Sequence, residues 1–187
     1  GGTARTYARL DGPISWRTWI EAVRAGRTIA TNGPLLFAKV DGQEPGSELS
    51  SRSSVTVEVD LATIAPVEVI EIIVDGEVAH TISVRDGEDQ LTVEESIPVE
   101  GSRWVAVRAR GGKARYSGDS YTFAHTTPVY FTDALPNDAS RASADFLAAV
   151  IEEIWRRVDQ RDAWLVPEDR EVYRRHLDEA LARLTLN

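Results

Sequence analysis

From residue 28 to about residue 131 apolar side chains recur at every second position, and after residue 136 they recur every three to four, so this chain carries two periods that one kind of secondary structure cannot satisfy. Val55, Val57, Val59 and Leu61 alternate with Thr56, Glu58 and Asp60, which describes a strand with one buried face. Val67 to Val74 and Glu77 to Val84 flank Asp75-Gly76, a pair that accepts the positive φ angles of a type I′ turn, so the segment is predicted to be a β-hairpin. Leu91 to Ile97 and Trp104 to Ala109 add two strands, and Tyr121 to Phe131 adds a pair or one bent strand. Short strands, turns bearing Gly and Pro, and no intervening helix predict a mainly β fold: an antiparallel, immunoglobulin-like β-sandwich over residues 28–135.

Helical segments bracket this body. Arg5 to Leu10 alternates as a short strand and ends in the turn signal Asp11-Gly12-Pro13. Ser15 then caps a short N-terminal helix over about Trp16 to Ala25, striped by Trp16, Trp19, Ile20 and Val23 and stopped by Gly26. The stripe predicts internal packing for Trp16 and Trp19, with interface anchoring as the other reading. Residues 136–187 form a C-terminal α-helical hairpin. Its first helix carries Phe146, Leu147, Val150, Ile151, Ile154, Trp155 and Val158 in a stripe too wide for a solvated helix. After a link around 162–166, Pro167 opens the second helix, striped by Tyr173, Leu177, Ala180, Leu181 and Leu184.

Composition narrows the functions. A net charge of −9 repels a phosphate backbone, and the arginines between Arg103 and Arg115 fit a solvated face, so nucleic-acid binding is disfavoured. No apolar run is long enough to span a membrane, and the chain is expected to be soluble. With no cysteine there is no disulfide or thiolate chemistry, and the compartment stays undetermined. The start at Gly1-Gly2 and the lack of methionine suggest a fragment of a longer chain or a tag remnant.

Local motifs offer little chemistry. His80, His125 and His176 form no HxH or HExxH pair, so no catalytic residue and no metal ligand is assigned within this chain. There is no GxSxG elbow or Walker pattern, and Gly111-Gly112 is expected to be a hairpin turn. His80 is in phase with Val78, Ile82 and Val84 and is expected to pack half-buried, and His176 suits a helix surface. His125 lies beside Thr126 and Thr127 ahead of Pro128, where it serves either a loop-stabilising hydrogen bond or an interdomain role. In Gly26-Arg27-Thr28-Ile29-Ala30-Thr31-Asn32-Gly33-Pro34, Gly33 permits unusual φ and Thr31 and Asn32 can bond their own backbone, which reads locally as a rigid turn from helix to strand.

Taken in order, Gly26-Arg27-Thr28, Thr31-Asn32-Gly33-Pro34, Asp41-Gly42 with Pro45-Gly46, and His125-Thr126-Thr127-Pro128 before a helical tail resemble the C-terminal portion of the CehA/McbA-type metallohydrolases, members of the PHP (polymerase and histidinol phosphatase) superfamily. The resemblance covers nearly the whole chain. It implies an upstream barrel holding divalent metal through His and Asp and hydrolysing esters, amides, carbamates or phosphoesters. Residues 1–27 would connect to that barrel, and this chain, with no cofactor of its own, would be a non-catalytic accessory region supporting it. Arg5, Arg27, Thr31, Asn32, Gly33, His125 and Thr126 become candidates for an interdomain surface or active-site rim. Two other classes stay open: a stand-alone β-sandwich module binding carbohydrate or protein, with Trp104, Tyr116 and Tyr121 as its aromatic row, and a hydrolase built from a constellation invisible in sequence. Association into a homo-oligomer is also open.

Overall fold

A computed structural model describes residues 4–115, 118–161 and 163–185. Residues up to Leu135 and residues from Pro136 form two compact units.

In the first unit, β1 (Arg5–Ala8), α1 (Trp16–Arg24) and β2 (Thr28–Thr31) precede β3 (Leu35–Val40), β4 (Glu48–Leu49), β5 (Ser54–Ala62), β6 (Val69–Val74), β7 (Glu77–Ser83), β8 (Gln90–Pro98), β9 (Trp104–Gly111), β10 (Thr122–Thr126) and β11 (Val129–Phe131). The larger sheet runs β1-β2-β10-β9-β6-β7; β11 also pairs with β9 and carries β4 along its other side. The smaller sheet is β3-β5-β8. All pairings are antiparallel except β4 with β11.

The alternation in sequence becomes burial. Val55, Val57, Val59 and Leu61 of β5 face Ile70 and Ile72 of β6 and Val105, Val107 and Ala109 of β9 in one core drawn from both sheets. Asp75 and Gly76 adopt φ of 50° and 97°, the left-handed conformation the β6–β7 turn demands. Tyr121 to Phe131 proves to be one bent path: β10 and β11 follow each other along β9, with registers offset by one residue between them. At that bulge, Val107 N donates to Thr126 Oγ1 over 3.1 Å.

Three expectations need correction. Gly33 is not among the residues with positive φ, so that turn needs no left-handed glycine. Gly111 ends β9 and the path to β10 takes residues 112–121, so Gly111-Gly112 is not a tight hairpin turn. Trp16 is 76% exposed and Trp19 37%, stacked on each other at 5.5 Å between ring centroids, so they do not pack internally. Helix α1 is nonetheless well specified: Ser15 Oγ accepts from Thr18 N and Thr18 Oγ1 accepts from Ser15 N, each at 3.1 Å, a reciprocal cap.

The second unit pairs α2 (Asp138–Asp159) with α3 (Pro167–Thr185). Trp155, Trp164 and Tyr173 cluster with centroids 5.8–6.5 Å apart, and the Arg170 and Arg174 guanidinium groups lie 5.2 and 5.4 Å from the Trp155 ring. The wide stripe of α2 divides: Ile151, Trp155 and Val158 are partly buried, whereas Phe146, Leu147, Val150 and Ile154 are exposed.

Candidate functional site

The motif segments that stand apart in sequence meet in the first unit. Gly26, with φ of 69°, turns the chain from α1 into β2 and lies against Gly46 so closely that a Cβ on Gly46 would sit 2.0 Å from the Ala25 carbonyl oxygen. Gly46 N donates to Pro128 O at 2.8 Å, Thr127 N to Thr28 O at 3.0 Å, and the Thr28 and Thr127 hydroxyls lie 2.8 Å apart. Gly26-Arg27-Thr28, Pro45-Gly46 and the Thr127-Pro128 end of the histidine motif are thus parts of one junction. Asp11 forms an ion pair with Arg27 Nη1, while Arg27 Nε is buried without a hydrogen-bond partner among the described residues.

The other end of β2 is a second junction. Buried Thr31 shares its hydroxyl proton between Pro34 O at 2.6 Å and Phe123 O at 3.1 Å, and accepts from Gly33 N at 3.0 Å. Asn32 Nδ2 donates to Asp119 Oδ2 at 2.9 Å and Tyr121 O at 2.8 Å, and Asn32 Oδ1 accepts from Phe123 N at 2.8 Å. Both side chains are spent on holding β2, β10 and the 112–121 connection together. A Cβ on Gly33 would lie 3.2 Å from that of Ala65, a tight contact.

Cross-strand register decides which candidates share a face. Arg5 pairs with Thr31, which pairs with Ala124, and this row has the phase of the core. His125 pairs with Ala30 on one side and Arg108 on the other, in the opposite phase. Arg5 and His125 therefore project from opposite faces of the sheet, and Thr126 is buried in the core phase. His125 Nδ1 lies 2.7 Å from Thr126 O, so the ring donates to that carbonyl from Nδ1, while exposed Arg5 lies 3.5 Å from the Tyr7 hydroxyl.

A nearly buried ion-pair cluster was not singled out by sequence reasoning. Next to His125 on the outer face, Arg108 and Arg110 converge on Glu71, which is 5% exposed. Arg108 Nε donates to Glu71 Oε2 at 2.7 Å and Arg110 Nε to the same oxygen at 2.9 Å. The hydrogen bond from Arg110, joined by that from Arg108 and opposed by burial, holds the Glu71 carboxyl at about 2, and the same pair raises Arg110. Glu71 is the one charge in the run Val69 to Val74, a signal that an outward position on this strand is not solvated.

A groove of about 560 Å³ is lined by residues of β1 and β2 of the large sheet and of β3 and β5 of the small one. Tyr7, Ile29, Leu35 and Phe37 form its apolar walls, Arg9 and Glu44 pair at its rim, and Phe37 is 55% exposed. Helix α1 lies against β1, and its Trp16 and Trp19 are exposed.

Among the described residues no group of three or more His, Asp or Glu side chains could hold a metal ion. Trp104 and Tyr121 lie at opposite ends of the paired β9 and β10 strands and form no row, and Tyr116 lies outside the described residues. His80 is half-buried in phase with Ile82 and Val84, as expected, while a bulge between Ile72 and Ile73 leaves Val78 exposed, and His80 Nε2 lies 3.7 Å from Glu95 Oε1 of the small sheet. No helix is long and apolar enough to cross a membrane among the described residues. Comparison with family models, with curated proteins and with solved structures returns no match.

Proposed function

We propose that this chain is a non-catalytic accessory region of a PHP-type metal-dependent hydrolase, packing against the catalytic barrel and supporting it. The observation that carries the reading is the largely apolar groove with the exposed aromatic side chains Tyr7 and Phe37, a surface that calls for a partner. The resemblance motifs lend it support by meeting at one junction beside that groove, where Arg27, Thr28 and Pro45 belong to both. Divalent metal would be held, on this proposal, by His and Asp ligands of the barrel. The immunoglobulin-like description of the two sheets is part of the same proposal.

The purified chain tests it by elemental analysis together with hydrolysis of aryl esters, carbamates and phosphoesters under added manganese or zinc. The expected result is no stoichiometric metal and no turnover. Bound metal, with turnover abolished by His125→Ala, would make the chain an enzyme and overturn the proposal.

A further inference from the structure

Of the asparagines Asn32, Asn137 and Asn187, Asn32 alone is followed by glycine. Glycine has no Cβ to shield its backbone nitrogen or to narrow its φ and ψ, so in an open chain Gly33 N readily reaches the side-chain carbonyl carbon of Asn32. That attack closes a succinimide ring. The bond from Gly33 N to Asn32 Cγ forms, the Cγ–Nδ2 bond breaks, and the Gly33 amide proton leaves with Nδ2 as ammonia. Water then opens the ring at either carbonyl and yields aspartate or isoaspartate.

The folded junction occupies every participant in that reaction. Asn32 Nδ2 donates to Asp119 Oδ2 at 2.9 Å and to Tyr121 O at 2.8 Å, and Asn32 Oδ1 accepts from Phe123 N at 2.8 Å. Its amide is thus bound across to β10 and the connection ahead of it, not over its own backbone. Asn32 N donates to Phe123 O at 3.2 Å, and the attacking nitrogen, Gly33 N, donates to buried Thr31 Oγ1 at 3.0 Å. The ring closes only after the side-chain bonds to residues 119–123 let go, which is a local opening. We propose that Asn32 is a deamidation site gated by this junction, unreactive while its amide is held and reactive once it is released. The step runs one way. Either product sets a carboxylate oxygen where Nδ2 donated, facing the Asp119 carboxylate and the Tyr121 carbonyl. Isoaspartate also adds a main-chain carbon directly after β2. A chain that has opened here is thereby marked and cannot restore the same bonds. This inference goes beyond the accessory-domain proposal and does not depend on it.

Peptide mapping by mass spectrometry, on the full chain held at mildly alkaline pH in isotope-labelled water, reads both products at residue 32. Conversion in concentrated urea should outpace that of the folded chain by about tenfold or more. Gly33→Ala, compared in the same urea, should slow it about tenfold, because a Cβ narrows the conformations that bring the nitrogen to Cγ. Folded Asp119→Ala lacks one side-chain partner and should convert about tenfold faster than the parent, whereas Asp119→Asn keeps an accepting oxygen and should stay near the parent rate. Where Asp119→Ala does not fold, the parent decides: below its unfolding transition the rate should rise with urea less steeply than global unfolding requires. Equal rates in the folded and unfolded chains, a rate that tracks global unfolding, or an unchanged rate in folded Asp119→Ala would overturn the gate. No product in urea would overturn the site itself. Asn32→Asp introduces the carboxylate directly, and protease should cut its 112–121 connection about tenfold faster than the parent's. Equal cutting would overturn the one-way step.

Discussion

Neutralising Glu71 probes how far one buried charge holds the outer face of the large sheet. Glu71→Gln preserves side-chain volume but sets a neutral amide, with donors of its own, against Arg108 and Arg110. The carboxyl stays ionised down to about 2, against 4.5, chiefly through the Arg110 hydrogen bond, with Arg108 adding to it and burial opposing. At about 1.4 kcal/mol per pH unit, a fall of that size corresponds to roughly 3 kcal/mol. The arginine side chains are 34% and 54% exposed, so water screens part of the attraction and the expected loss is about 2 kcal/mol. Because the folded value is depressed, this stability is fully present above about 4.5 and disappears as pH falls from there through about 2. Urea titrations read on the amide signals of β6 and β9 should show the variant trailing the parent at pH 7 and the gap closing between pH 5 and pH 2. A gap below about 0.5 kcal/mol at pH 7, or one that does not change with pH, would refute the reasoning.

Asn32→Ala removes three hydrogen bonds from the second junction and should cost about 2 kcal/mol, with faster proteolysis in the 112–121 connection checked by mass spectrometry. Gly46→Ala forces a Cβ toward the Ala25 carbonyl and, at φ of 86°, a strained backbone, so a loss above about 2 kcal/mol is expected in thermal melts. Trp155→Ala opens the aromatic cluster of the helical unit and should cost about 3 kcal/mol, read from helical circular dichroism. Trp16→Ser, at an exposed position, should change stability by no more than about 0.5 kcal/mol.

The strands were legible wherever a two-residue period coincided with one buried face. β5 and the β6–β7 hairpin follow directly from Val55 to Leu61 and from Asp75-Gly76, because alternation and turn chemistry are local properties. The bent path of β10 and β11 was legible only as an alternative, since the bulge depends on Val107 N reaching Thr126 Oγ1 across strands. Trp16 and Trp19 were misplaced for a related reason. A helical stripe reports that a face is apolar and says nothing about whether the described chain covers it.

The candidate residues divide by how much of their chemistry is local. Gly33 and part of Thr31 are explained by bonds within three residues of Thr31, of the kind the motif Thr-Asn-Gly-Pro suggests, whereas the Thr31 bond to Phe123 O spans the sheet. Asn32 needed partners about 90 residues away, and no spacing rule could name Asp119 or Tyr121. Arg5 and His125 look equivalent as polar residues near motifs, yet two successive registers, Arg5↔Thr31 and His125↔Ala30, assign them to opposite faces. A single partner surface flat against one face of the sheet therefore cannot engage both. One that wraps the β1 edge can meet Arg5 and the groove on the inner side, and reach His125 and Arg108 on the outer side only by passing Thr6 and Ala30. The β1 edge is thus where substitutions should separate a wrapping partner from a flat one: charge added at Thr6, on the outer row, would disturb only the former.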